Sequence, residues 1–224
     1  MIIPHRDLPL PSNSTILWRY MPVERFIDLI SSHTLYFRRN DCYDAQKEAT
    51  LALADERIML TSRLNDYWVR ERKRHYVSCW IQATYELDYM WEEYSKEGIA
   101  IQTTVGNLKQ SMIDDDEHIV YLSKVKYIDF QIESTQDHLT PINVLKIPFT
   151  KSKEYIKENE IRLLYTVNNI DDKNCPTSYK LPINVSKLFG KLILHRNLSQ
   201  QCKQNIIDTL KREQLTIEIA DSAL

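Results

Sequence analysis

Glycine is the scarcest structural residue in this 224-residue chain, which has only Gly98, Gly106 and Gly190. A dinucleotide fingerprint and a P-loop both need several glycines within one turn, so phosphate binding by a glycine-rich backbone loop is excluded. Cysteine is nearly as sparse. Cys42, Cys79, Cys175 and Cys202 form no CxxC pair and join no histidine at metal-ligand spacing, so free, buried thiols are expected and zinc is not. No stretch approaches the roughly 18 uncharged residues that a membrane helix needs, and the N-terminal Met-Ile-Ile-Pro-His-Arg-Asp lacks a signal peptide's apolar core. The expectation is a cytoplasmic protein with no membrane partner. Excess charge of one sign is also missing, since 29 Lys plus Arg stand against 31 Asp plus Glu, for a net charge of -2. General affinity for nucleic acid is therefore not expected.

Hydrophobic residues make up 43% of the chain and charged residues 27%, the balance of a globular protein long enough to bury a core without staples. Thr15 to Tyr20 alternates like a strand, and Pro22 is placed for the first position of a helix carrying Val23, Phe26, Ile27 and Ile30 on one face. Leu35-Tyr36-Phe37 resumes a strand. Residues 45 to 74 lack both glycine and proline and read as one helix or two, closed by the basic run Arg70 to His75, which suits a helix C-terminus or a nucleic-acid patch. Tyr76 to Ile81 reads as a buried strand, and Glu86 to Ser95 as a helix stopped by Gly98. Strands are predicted at 99–104, 118–127, 158–165, 179–183, 191–194 and 215–219, with a helix over 199–213. Loops are expected at 129–146 and 171–176, and Asp114 to Glu117 reads as a solvated turn or a weak cation site. With no linker or repeat, the chain is one α+β domain over 1–224, its core starting near residue 15, with mixed or antiparallel sheets flanked by helices.

Three groups of side chains could carry chemistry. Arg19, near the end of the first strand, has a planar fork suited to phosphate or carboxylate, or to a surface ion pair. Trp91 and Tyr94, three apart on a helix, make either an aromatic platform for a planar ligand or part of the core. Glu158, Glu160 and Arg162 share a face if the segment is a strand. Arg162 would then neutralise one carboxylate, leaving the other with a raised pKa for work on a ligand, or the three would form a solvated ion-pair ladder.

These segments also form a recognisable set. Leu17-Trp18-Arg19-Tyr20, Leu35 to Arg39 leading to Asp41 and Asp44, Val77 to Trp80, Met90 to Tyr94 with Gly98 to Ile101, Val125 to Asp129, Lys151, and Glu158 to Arg162 together resemble the bacterial family known as domain of unknown function 2971. One departure is that Asp44 is followed by Ala45-Gln46-Lys47-Glu48, where the family usually has an aromatic residue and a glutamate. The order of motifs is more distantly similar to ADP-ribosyltransferase domains, which grip NAD by side chains. That resemblance implies NAD as the ligand and a toxin or phage-defence setting. Arg19, Tyr20 and Arg162 would bind it, Tyr94 or Trp91 would stack on nicotinamide, Glu160 would stabilise the positive charge developing on the ribose, and Glu158 would orient the acceptor. Two other readings stay open. One is a non-catalytic module for a small molecule, nucleotide or protein; the other is a metal-dependent nuclease using Asp41, Asp44, Glu158 and Glu160.

Overall fold

The computed structural model describes residues 2–43, 70–114, 117–133, 144–167 and 175–224. A run of large apolar residues, buried on both faces, forms β1 (Ile16–Met21), and Pro22 then occupies the N-cap of α1 (Val23–Ser32), one position earlier than the sequence suggests. Helix α1 buries Val23, Phe26, Leu29 and Ile30 and ends at His33, whose φ of 52° reverses the chain into β2 (Thr34–Arg39). Then come β3 (His75–Gln82), α2 (Asp88–Tyr94), β4 (Ile99–Thr104), α3 (Val105–Ser111), β5 (Val120–Lys124), β6 (Lys126–Ile128), β7 (Thr150–Ser152) and β8 (Glu160–Thr166). The chain closes with β9 (Ser178–Pro182), α4 (Val185–Leu188), β10 (Lys191–Leu194), α5 (Gln200–Arg212) and β11 (Glu218–Asp221).

Nine strands form one mixed sheet in the order β11-β10-β4-β1-β3-β2-β9, with β8 added on β3 and β5 on β8. Within it only β10 and β11 run parallel, and β6 and β7 form a separate short parallel pair. The α+β class expected from the sequence is the class observed. Helices α1 and α5 pack together over a core that includes Leu17, Phe26, Phe37, Trp80, Ile101, Leu163 and Ile206. A second cluster, Trp18, Tyr20, Ile81, Met90, Trp91, Ala100 and Ile193, lies under α2. Burying each such large apolar side chain is worth about 1.5–3 kcal/mol. No helix among the described residues is long and apolar enough to cross a membrane.

β3 is the branch point of the sheet. Along one edge it pairs with β8 from His75↔Thr166 to Ile81↔Glu160. Its other edge is shared, with β2 taking Tyr76 and Val77 and β1 taking Ile81 and Gln82. Ser78, Cys79 and Trp80 have no strand partner on that edge among the described residues, so β1 and β2 diverge there and leave a fork.

Several local expectations change. The strand expected over 118–127 splits into β5 and β6, which pair with different partners. The last strand begins at Glu218 rather than Leu215. All four cysteines are free, as expected, but half-buried rather than buried. Most of the helix expected over 45–74 lies outside the described residues, as do 134–143 of the expected loop, 171–174 of the expected turn, and Asp115 and Asp116. Gly98 does not terminate the aromatic helix, since α2 already ends at Tyr94 with Ser95 as C-cap, and no glycine among the described residues has positive φ. Its role is steric. The Ser95 hydroxyl donates to the Met21 carbonyl at 2.7 Å, and a Cβ on Gly98 would collide with both of those oxygens.

Gly98→Ala therefore forces backbone apart at the end of β1. A loss of about 1–3 kcal/mol is expected from urea unfolding, with the midpoint lowered. His75 gives a second test. It is wholly buried at the start of β3, and burial, reinforced by Arg74, lowers its pKa from 6.5 to about 4. Below pH 6.5 the unfolded chain takes up a proton that the folded chain refuses, so this contribution is intact above 6.5 and is lost as pH falls towards 4. Replacing His75 by Gln should remove about 3 kcal/mol of that acid-induced loss between pH 7 and pH 4. An unchanged pH profile would show that His75 titrates normally.

Candidate functional site

A cleft with a cavity volume of about 200 Å³ opens at the fork. Its residues come from β1, α1, β2, β3, α2, β7 and β8 and from the segments beside β2 and β8. Arg19 leaves β1 where that strand parts from β3. Its Nη1 donates to Ser78 Oγ at 2.6 Å, and its Cζ lies 5.4 Å from the Trp80 ring centroid. Burial, with Arg25 nearby, lowers its pKa, although Cys79 and two tyrosines oppose the shift.

Arg162 and Glu160 form the inner wall of the site. They are two residues apart on β8 and therefore on one face, with exposures of 0% and 3%. The guanidinium grips the carboxylate through Nε to Oε1 at 2.5 Å and Nη2 to Oε2 at 3.0 Å, and Nη1 donates to the Pro148 carbonyl at 2.7 Å. Lys151 on β7, 4% exposed, donates to Glu158 Oε2 at 2.7 Å and to Glu160 Oε2 at 3.5 Å. Burial alone would raise the Glu160 pKa. The Arg162 charge and hydrogen bonds, Lys151 and the Cys79 thiol outweigh it and hold the carboxyl below its ordinary range, so Glu160 is a fixed anion at neutral pH.

Glu158 reaches the site by a different route from the one its spacing suggests. β8 starts at Glu160, and Glu158 ends a short 3-10 turn. Asn159 between them is left-handed (φ 42°), a conformation that asparagine tolerates. The turn brings Glu158 to Lys151, where strand alternation would not have applied. Arg162 neutralises one of the two carboxylates, Glu160, and Lys151 pairs with the other.

Tyr94 is 46% exposed at the cleft wall, and burial of its hydroxyl, followed by Glu158, raises its pKa. Tyr127 receives the Glu160 amide proton at 2.8 Å, and burial raises its pKa too. Both phenols stay protonated at working pH and can donate. Tyr20 also lines the cleft, its hydroxyl accepting from the Leu87 amide at 2.9 Å and its pKa pushed by burial to about 12. Trp91 does not reach the cleft. It is 2% exposed and packs edge-on against Tyr20 at 4.9 Å. Of the two aromatics considered for stacking, Tyr94 lines the cleft and Trp91 does not.

Asp41 of the metal reading is engaged elsewhere, accepting from Arg39 Nε at 2.5 Å, and does not line the cleft. Asp44 and Glu48 lie outside the described residues. Among the described residues, no group of three or more His, Cys, Asp or Glu side chains could hold a metal ion. Sequence reasoning gave no role to Lys151, Cys79, Arg25, Tyr36, Arg38 or Tyr43, all of which line the cleft. The available signal was Tyr36 and Arg38, which share a strand face by their spacing of two. No protein-family model matches the chain, and neither does any curated protein.

The Arg162–Glu160 pair should dominate local stability. Arg162→Met, which strands a buried carboxylate, is expected to cost about 3–5 kcal/mol in urea unfolding. The folded Glu160 pKa lies below its unfolded value near 4.5, so the carboxylate contributes stability above that pH and loses it as pH falls through the folded value. The stability gap between wild type and Glu160→Gln should accordingly be largest at pH 7 and close in acid. A gap independent of pH would show that Glu160 is not held as an anion.

Proposed function

We propose that the cleft binds a nicotinamide dinucleotide and that the chain transfers its ADP-ribosyl group to an acceptor, as a member of a domain of unknown function 2971 type with ADP-ribosyltransferase-like chemistry. The observation that carries this reading is the lining of one cleft by Arg19, Tyr94, Glu158 and Glu160, four side chains brought by three segments of the chain. No glycine-rich loop is required, in keeping with the composition.

In this reading NAD is the substrate. The bond from ribose to the nicotinamide nitrogen breaks, nicotinamide leaves with the bonding pair, and an acceptor lone pair forms the new bond to the ribose carbon. Arg19 at the fork binds the phosphates with its planar guanidinium. Tyr94 stacks on the nicotinamide ring, with Tyr20 behind it. Glu160, kept ionised by Arg162 and Lys151, places fixed negative charge where positive charge develops on the ribose, and needs no reorganisation as the bond breaks. Glu158, with 15% of its side-chain surface open, accepts the proton of the incoming nucleophile. Lys151 holds both carboxylates in register. A toxin or phage-defence setting with a protein acceptor fits such chemistry, and the expected location is cytoplasmic.

The test is incubation with millimolar NAD, following nicotinamide release by chromatography and apparent stability by thermal shift, since a ligand that binds only the folded state raises it. Wild type should show both signals. Glu158→Gln should keep the shift and lose transfer to an acceptor. Glu160→Gln should lose all turnover, with its melting temperature measured alongside because the same change weakens a buried ion pair. No shift and intact NAD after long incubation would refute the reading, leaving a non-catalytic pocket.

A further inference from the structure

The cleft carries more positive charge than its own carboxylates answer. Lys151 and Arg162 are paired with Glu158 and Glu160, which neutralises the inner wall. Arg19, Arg25 and Arg38 line the same cleft, and none of the three has a carboxylate within ion-pair distance among the described residues. They are held by neutral contacts instead. Arg19 bonds Ser78, Arg25 lies 5.9 Å over the Tyr36 ring, and Arg38 lies 4.9 Å over Tyr43 while donating to the Cys42 carbonyl at 2.9 Å. A tyrosine face within cation–π range attracts the guanidinium without using its N–H groups, which leaves donors for oxygen ligands.

A lone arginine answers a diphosphate poorly, and three guanidinium groups facing one opening give it a positive potential that favours an anion of matching charge. Arg25 and Arg38 come from α1 and β2, on the side of the fork away from Glu158 and Glu160, so they form a second station beyond Arg19. From this arrangement we infer that the cleft selects a nucleotide bearing a terminal phosphomonoester in addition to its diphosphate, with Arg19 on the diphosphate and Arg25 and Arg38 on the monoester. The inference deepens the dinucleotide reading by naming its phosphorylated form, NADP, as the preferred ligand. The monoester station itself is independent of nicotinamide.

The experiment is titration calorimetry at low salt with NADP, NAD, adenosine 2′,5′-bisphosphate and AMP, on wild type and on the Arg25→Gln/Arg38→Gln double variant. Both arginines are exposed, so the double variant should keep the wild-type melting temperature. Wild type should bind NADP about ten-fold or more tightly than NAD, and the bisphosphate more tightly than AMP by a similar factor; both preferences should shrink with salt and vanish in the double variant. Binding of the bisphosphate with that arginine dependence, but of neither dinucleotide, would keep the monoester station and overturn the nicotinamide reading. Equal affinities for NADP and NAD, a preference that survives the double substitution, or no binding of the bisphosphate would overturn the inference.

Discussion

A guanidinium and a carboxylate buried two residues apart on one strand set the terms for everything around the cleft. Neither Arg162 nor Glu160 could be withdrawn from water singly, because an unpaired buried charge costs several kcal/mol. Together they also need further partners, and the surrounding chain supplies them. The Pro148 carbonyl accepts from the third guanidinium position, Lys151 approaches the far carboxylate oxygen, and Tyr127 takes the amide of the same glutamate. The elements that bring these groups, β6, β7 and the turn that contains Pro148, are short, and the polar network ties them to β8. Because every charge in this wall is answered, it can remain rigid and ionised without a ligand.

The fork in the sheet is the second determinant. An antiparallel strand normally satisfies both edges along its length, and β3 does so on the β8 side. On the other edge, β1 and β2 each take one end and part over Ser78 to Trp80. Arg19 occupies the point of divergence, and its guanidinium donates to the Ser78 hydroxyl of β3 across the gap. The opening that results has an inner wall whose charges are paired and an outer wall carrying Arg25 and Arg38, which have no ion pair among the described residues.

Much of the architecture was legible along the chain, and the errors follow a pattern. Period-two and period-3.6 patterns located β1, α1, β2, β3 and α5 to within a few residues, because each has one face against the core. Misplacements came where a single residue overrides the pattern. Asn159 turned left-handed and removed Glu158 from the strand, and Gly98 turned out to be required for lack of a Cβ rather than for a helix stop. Trp91 and Tyr94 look equivalent by spacing, yet one is core and the other is at the cleft, since position on α2 relative to the sheet cannot be read from the helix alone.

By itself the sequence determined the class of the fold, the exclusion of a glycine-loop nucleotide site, and the residue types available to replace it, since these depend on composition and local periodicity. It also picked out Arg19, Tyr94, Glu158, Glu160 and Arg162 as charged or aromatic side chains in suggestive positions. Only the tertiary structure decided that those five face one opening, that Lys151 answers both glutamates, and that Arg25 and Arg38 stand in the same cleft without acids of their own among the described residues. The physical reason is that charge compensation is a relation between distant segments. Lys151 and Glu160 are nine residues apart, but Arg19 and Ser78 are fifty-nine apart. No local pattern records which cations a folded sheet leaves facing a cleft.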